Sequence, residues 1–270
     1  MMAGAAVSST TEPGRLARAN IAAGNLFFRV RNALFPAIVA LIALVMRPRI
    51  ILGDPSLDRA LMTIGVTVAL AGEAIRLLTI GFDYIDRGGK QGKVWASRLV
   101  HRGVYGIVRN PMYIGNALIV IGVCMAAGAP GNYLIMIPFF LFVYQAIVAA
   151  EEAYLRGRFG ADYDDYCARV PRWLPRGTGG AFEGLTFQWR QALRKDLSTI
   201  SGLAQGLIWM PLWRGLFLEG WGAARERLVR TGALSLSALA VYGLLAVAKR
   251  RKWGFYTPQE VAEHRLAQQG

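Results

Sequence analysis

Two apolar blocks, "MYIGNALIVIGVCMAAG" at 112–128 and "YLIMIPFFLFVYQAIVAA" at 133–150, are separated only by "APGN". A connector that short, carrying Pro and Gly, turns the chain straight back, so the pair predicts a tight antiparallel helical hairpin. This constrains the rest of the chain. Whatever precedes residue 112 and whatever follows residue 150 must meet at the same end of the hairpin.

Further blocks surround it: 27–46, whose uncharged core 32–46 is short for a span, 60–82, and 231–248, closed by "KRRK". The block 200–221 holds three Trp, a Pro and Arg214, and fits an interfacial or re-entrant helix as well as a span. Only 18 % of the 270 residues are charged, 54 % are hydrophobic, and mean hydropathy is +0.34. Soluble domains carry roughly 25 % charged residues. The fold expected is all-α: a polytopic transmembrane bundle of about five helices with a helical hairpin.

The net charge of +14 argues in the same direction. Its basic residues lie beside and between the apolar blocks, as in loops held on anionic lipid, with no long tract and no nucleic-acid module. No nucleic-acid partner is expected. Cys124 lies in an apolar block and Cys167 in a polar region, so no disulfide joins them. His101 and His264 form no cluster of metal-ligand spacing, so no metal is expected. Residues 1–26 contain no signal-peptide pattern and are expected to be a mobile cytosolic tail.

Loop charge sets the orientation. The stretch 83–111 carries Arg87, Lys90, Lys93, Arg98, Arg102 and Arg109. The segment after the hairpin carries Arg156, Arg158, Arg169, Arg172 and Arg176, while the hairpin tip carries none. Both basic segments are expected in the cytosol, with Arg47, Arg49 and Arg59 as a weak exception on the other side. If "KRRK" is also inside, 200–221 must cross the membrane.

At the start of the hairpin stands "GVYGIVRNPMYIGN", 103–116. Asn110 before Pro111 reads as N-cap and first helical residue. The helix start brings free backbone N–H groups and a positive dipole end, and Arg109 adds a full charge, so the stretch suits an anion. Interface anchoring by Arg109 and Tyr113 is the simpler alternative. Glu151 and Glu152 close the second helix, and the hairpin returns them beside Arg109. Pairing of Glu152 with Arg156, four residues on, leaves Glu151 unexplained. Gly160 is expected to end that helix, and Asp162 with Asp165 to open another bearing the stripe Tyr163, Tyr166 and Val170. Amides and Arg on one side with carboxylates on the other suit a zwitterion, which the loop 83–111 would cover. Glu73 and Arg76, three apart in the second block, either contact a ligand or pair with each other.

These residues resemble the isoprenylcysteine carboxyl methyltransferases and the related phospholipid N-methyltransferases. The shared pattern stands here as "GVYGIVRNPMYIG", then a hairpin, then "EEAYL", "FGADYDDY" and "VPRWLP", over about residues 60 to 176. The resemblance implies an integral-membrane methyltransferase using S-adenosylmethionine, with cytosolic cofactor-binding segments and not a Rossmann fold, the cofactor bound from the cytosol and a lipid-side entrance for a hydrophobic acceptor. It implies Arg109, Glu151 and Glu152 as catalytic candidates. It implies Tyr105, Arg109, Asn110, Tyr113, Gly115, Glu151, Glu152 and Arg172 as cofactor-binding candidates. The isoprenylcysteine enzymes usually have His where Asn110 stands, and Asn performs no acid or base chemistry near neutral pH. The organisation expected is a tail 1–26, a methyltransferase core 27–176, and a C-terminal extension 177–270 outside the resemblance. A bacterial inner membrane or its equivalent is the expected location. A non-catalytic scaffold or transporter subunit on the same fold is the rival reading. The acceptor, whether O, N or S, and the oligomeric state are left open.

Overall fold

The computed structural model describes residues 14–83, 94–177 and 179–255, apart from a few side chains between 32 and 43. Residues 84–93 of the proposed covering loop, with the basic Arg87, Lys90 and Lys93, and His264 lie outside the described residues. Among the described residues there are seven α-helices and no strand: α1 Arg15–Val45, α2 Pro55–Phe82, α3 Pro111–Ala127, α4 Ile137–Phe159, α5 Ala161–Arg169, α6 Trp189–Leu218 and α7 Trp221–Arg250. The protein is an all-α membrane bundle without a Rossmann fold. Residues 55–82, 132–159 and 221–250 are each long and apolar enough to cross a membrane, and α3 is a shorter apolar helix of 17 residues.

The helices pack in the order α1, α4, α3, α2, α6, α7. Small residues set the closest approaches. A Cβ on Gly72 would lie 2.6 Å from the Gly115 carbonyl oxygen, and one on Gly65 would lie 2.6 Å from that of Gly122. α2 and α3 therefore run antiparallel, backbone on backbone, because nothing projects between them. A Cβ on Gly24 would lie 2.0 Å from the Ala146 carbonyl oxygen, which fixes α1 against α4. α1 starts at Arg15, so residues 15–26 of the stretch expected to be a tail are helical, and Gly24 is packed there.

The hairpin forms as expected. Gly128, in the left-handed conformation at φ 62°, ends α3, and a π-helical turn over Asn132–Met136 leads into α4. Its core is Phe140, Val143, Tyr144, Ile147 and Val148 of α4, joined by Phe28 of α1 and Tyr113 of α3. Gly160 ends α4 with φ 52°. α5 opens directly after Gly160, with Asp162 and Asp164 in its first turn, so Asp162 does not cap it. Tyr163, Tyr166 and Val170 do form one buried stripe, packed on Ala96 and Leu155.

The block 200–221 lies almost wholly within the 30-residue α6, which continues through Pro211. Asp196 near its start meets Arg76 at the end of α2, and Arg214 near its end meets Asp58 at the start of α2. α6 therefore runs the full length of α2 and antiparallel to it. α7 returns the chain, and the Phe255 carbonyl oxygen accepts from Arg194 of α6. "KRRK" thus lies at the end of the bundle that holds Asn110, Glu151 and Asp196, and Arg225, Arg227 and Arg230 lie at the hairpin-tip end.

Candidate active site

A cavity of about 460 Å³ opens where α2, α3, α4 and α6 converge, at the end of the bundle away from the hairpin tip. α3 contributes Met112, Tyr113 and Asn116, and α4 contributes Tyr144, Ile147 and Glu151. Arg76 comes from α2, Arg31 from α1, and Tyr105 from the short 3-10 turn Gly103–Gly106. α6 supplies Lys195, Asp196 and Thr199.

The central polar contact spans the hairpin. The Tyr113 hydroxyl donates to Glu151 Oε1 at 2.7 Å, and both groups are buried. The geometry follows from the turn: Tyr113 sits in the first turn of α3 and Glu151 in the last stretch of α4, and the tight connector aligns these two ends. Tyr105 is held from the other side, because Tyr166 of α5 donates to its carbonyl oxygen at 2.8 Å.

A second cluster adjoins the cavity without lining it. Glu152 Oε1 receives Arg172 Nε at 3.1 Å and Asn110 Nδ2 at 3.3 Å, with Arg109 Nε at 3.7 Å. Arg109 N–H donates to the Pro171 carbonyl oxygen at 2.9 Å, and Asn110 Nδ2 also donates to that of Arg172 at 3.3 Å. "VPRWLP" is thereby stitched across the start of α3. Burial raises the pKa of the adjacent Tyr163 by disfavouring its phenolate, and the nearby Glu152 carboxylate adds to the effect.

Of the residues singled out in the sequence, Tyr105, Tyr113 and Glu151 line the cavity, while Arg109, Asn110, Glu152 and Arg172 form the adjoining cluster. Gly115 does neither. A Cβ there would lie 2.5 Å from Arg76 Cγ, so its role is the α2–α3 approach. One local expectation fails, and one alternative reading falls away. Asn110 occupies the N-cap position, but its side chain makes no capping bond and turns to Glu152 and Arg172. Arg156 pairs with Asp164 at 2.7 Å and leaves Glu152 to Arg172, because the turn at Gly160 brings α5 back onto the end of α4.

Arg76 is the residue whose environment sequence reading least anticipated. Asp196 of α6 binds its guanidinium through both carboxylate oxygens, with Nε to Oδ2 at 3.0 Å. Nη1 donates to Asn116, and Nη2 also donates to Thr199 at 3.1 Å. Glu73 lies 3.6 Å from Nε, so the two readings of Glu73 and Arg76 merge: they are paired, and Arg76 also faces the cavity. Lys195, Asp196, Thr199, Asn116, Arg31 and Tyr144 were absent from the sequence-derived site. The pairing of Arg76 with Asp196, 120 residues apart, leaves no periodic signal. Asp196 and Thr199 do stand three apart, on one helical face.

The donor set fits a zwitterionic cofactor. Carboxylates and cations face one volume, and that volume falls within the roughly 300–1,000 Å³ of small-molecule sites. Among the described residues no group of three His, Cys, Asp or Glu comes together in a way that would hold a metal ion.

The comparison with protein families falls on the segment that supplies most of this cavity. The phospholipid methyltransferase family model matches residues 60–162. The nickel-cobalt-cadmium resistance protein NccN of Alcaligenes xylosoxydans xylosoxydans is 28% identical over 126 residues, 46% of this chain and 54% of that protein. The protein-S-isoprenylcysteine O-methyltransferase of Schizosaccharomyces pombe is 34% identical over 80 residues, 28% of this chain and 33% of that protein. The chain thus spans about half and a third of the lengths of these curated relatives. No solved structure matches it. Through residues 60–162, which carry most of α2, all of α3 and α4 and the Tyr113–Glu151 contact, the chain is similar to the phospholipid methyltransferase family.

Proposed function

We propose that this protein is a membrane methyltransferase that uses S-adenosylmethionine and acts on a lipid or other hydrophobic acceptor, resembling either an isoprenylcysteine carboxylate or a phospholipid amine. The observation that carries the reading is the buried Tyr113–Glu151 hydrogen bond at a cavity lying largely within the family-matched segment. The basic residues gathered at that end, from Arg98 and Arg102 through Arg169, Arg172 and Arg176 to "KRRK", support a cytosolic face for the cavity. A bacterial inner membrane or its equivalent fits this arrangement.

When bound, S-adenosylmethionine supplies a methyl group on an electron-poor sulfonium. The chain's own part is alignment, exclusion of water and control of protons. Glu151 faces the cavity as the negative partner for a cationic group, and Tyr113 fixes the direction of its carboxylate. A carboxylate or thiolate acceptor attacks without a base. An amine acceptor must lose a proton to complete the transfer, and the Glu151 carboxylate on the hairpin wall is the group to take it. Arg109, Glu152, Asn110 and Arg172 hold "VPRWLP" on the start of α3 and so keep Tyr113 in place. The core proposed for this chemistry, 27–176, is incomplete without α6, because Lys195, Asp196 and Thr199 belong to the 177–270 extension.

The test uses the full chain in detergent. Calorimetry should detect S-adenosylmethionine binding, and labelled methyl should pass into a total lipid extract, whose product mass spectrometry identifies. Glu151→Gln should cut transfer by roughly 10²–10⁴-fold, the span of a lost general acid or base, if the acceptor is an amine. Absence of cofactor binding by folded wild-type protein favours the non-catalytic scaffold instead.

A further inference from the structure

Arg76 stands out among the cavity residues because it is held so completely. A guanidinium has five N–H donors. Nε and one Nη2 hydrogen go to Asp196, the other Nη2 hydrogen goes to Thr199, and one Nη1 hydrogen goes to Asn116. Four donors are thereby committed to named partners among the described residues, and one on Nη1 remains. Arg76 is only 8% exposed, yet it lines the cavity. A guanidinium gripped bidentately by one carboxylate has its plane fixed, so it offers a ligand a donor of set direction and a delocalised charge.

We infer that Asp196, in a helix beyond the family-matched residues, is a positioning residue for acceptor recognition: with Thr199 it aims Arg76, and the remaining Nη1–H of Arg76 binds an oxygen of the acceptor molecule. The inference rests on the methyltransferase reading of the cavity. The side of the cavity supports the acceptor over the cofactor. Arg76, Asp196 and Thr199 come from α2 and α6, with Asn116 of α3 beside them, whereas the Tyr113–Glu151 contact lies between α3 and α4. An oxygen there carries partial or full negative charge, as in a carboxylate, a phosphate or an ester carbonyl. The bidentate grip also explains the burial of Asp196, whose charge would be costly at 2% exposure without a cation in contact.

The experiment compares Asp196→Asn with Asp58→Asn in the full-length protein in detergent. Asp58 forms the equivalent pair with Arg214 at the far end of α6, away from the cavity. Two readouts are taken on the folded fraction: the lipid-extract concentration giving half-maximal methyl transfer, and S-adenosylmethionine affinity by calorimetry. Asp196→Asn should raise the half-saturating concentration about tenfold or more, the scale of one misdirected charge-assisted hydrogen bond, with cofactor affinity within about twofold of wild type. Asp58→Asn should leave both unchanged. Should Asp196→Asn fail to fold, Thr199→Val serves, with an expected rise of about threefold. Wild-type half-saturation in Thr199→Val and in any folded Asp196→Asn overturns the inference. So does a matched loss of cofactor affinity, which would put Arg76 on the cofactor. Wild-type protein that binds no cofactor overturns the methyltransferase reading itself, and this inference with it.

Discussion

Helix α6 is tied to α2 at both ends by a buried Arg–Asp pair, and the two pairs are mirror images in sequence. At one end α2 supplies the arginine, Arg76, and α6 the carboxylate, Asp196; at the other α6 supplies Arg214 and α2 supplies Asp58. Both arginines are less than a tenth exposed. Their remaining donors differ. Arg214 Nη1 reaches the Ala127 carbonyl oxygen at 2.6 Å and that of Ala126 at 3.4 Å, so it caps the C-terminal end of α3. Those carbonyls have no partner within their own helix, and a cation suits the negative end of the dipole. Gly128 makes room, since a Cβ there would lie 1.9 Å from Arg214 Nη1. Arg76 instead meets side chains and a cavity. The comparison teaches that a buried ion pair does not announce its role. A pair whose spare donors end on backbone closes the fold, and a pair whose spare donor opens on a cavity is available to a ligand.

The largest expected effect that tests this contrast is at Arg214. Arg214→Met leaves Asp58 and two α3 carbonyls unpaired and should cost about 3–5 kcal/mol of stability, as breaking a buried pair does. Methyl transfer per folded molecule should hold, and a thermal shift series with activity measured below the transition separates the two. Loss of activity in proportion to Arg76 variants would break the comparison.

Glycine substitutions sharpen it along α2. Gly72→Ala and Gly65→Ala each push a Cβ into α3 backbone, within 2.6 Å of the Gly115 oxygen and 2.5 Å of the Ala126 nitrogen respectively. Each should cost about 1–3 kcal/mol by overpacking. Only Gly72→Ala, one turn from Arg76, should also weaken acceptor saturation. Equal kinetic effects from both would show that the two ends are coupled rigidly.

The smallest effect is expected at the α6–α7 corner. There Glu219 accepts from Arg227 at 2.9 and 2.6 Å, and these hydrogen bonds hold its carboxyl below its ordinary 4.5. The sign follows from linkage: a depressed carboxyl adds stability above its unfolded pKa and loses it as pH falls through the folded one. The pair is exposed, so Glu219→Gln should flatten the acid limb of a melting-temperature profile only slightly and leave the profile near neutrality unmoved.

The hairpin and its two polar ends were legible in the sequence. "APGN" between two apolar blocks leaves the chain one short route back, so Tyr113 and Glu151 had to meet. Gly160, too short of side chain to resist φ 52°, marked the end of α4. Asn110 misled, because a favoured cap residue also makes good bonds to a carboxylate, and Glu152 with Arg172 won its side chain. The simpler alternative, Glu152 paired with Arg156 at helical spacing, lost to Asp164 across a turn.

The local pattern of apolar blocks, turn residues and loop charge determined by itself that the chain is a helical membrane bundle with a polar end. Short-range sterics and the cost of placing charge in hydrocarbon act within a few residues and leave a readable trace. Only the tertiary structure decided that α6 lies along α2 and completes the cavity. The Arg76–Asp196 contact joins residues 120 apart, and no spacing rule reaches that far. Its cause is the fit of one helix against another, which the gaps left by Gly65, Gly72, Gly115 and Gly122 prepare by drawing α2 onto α3.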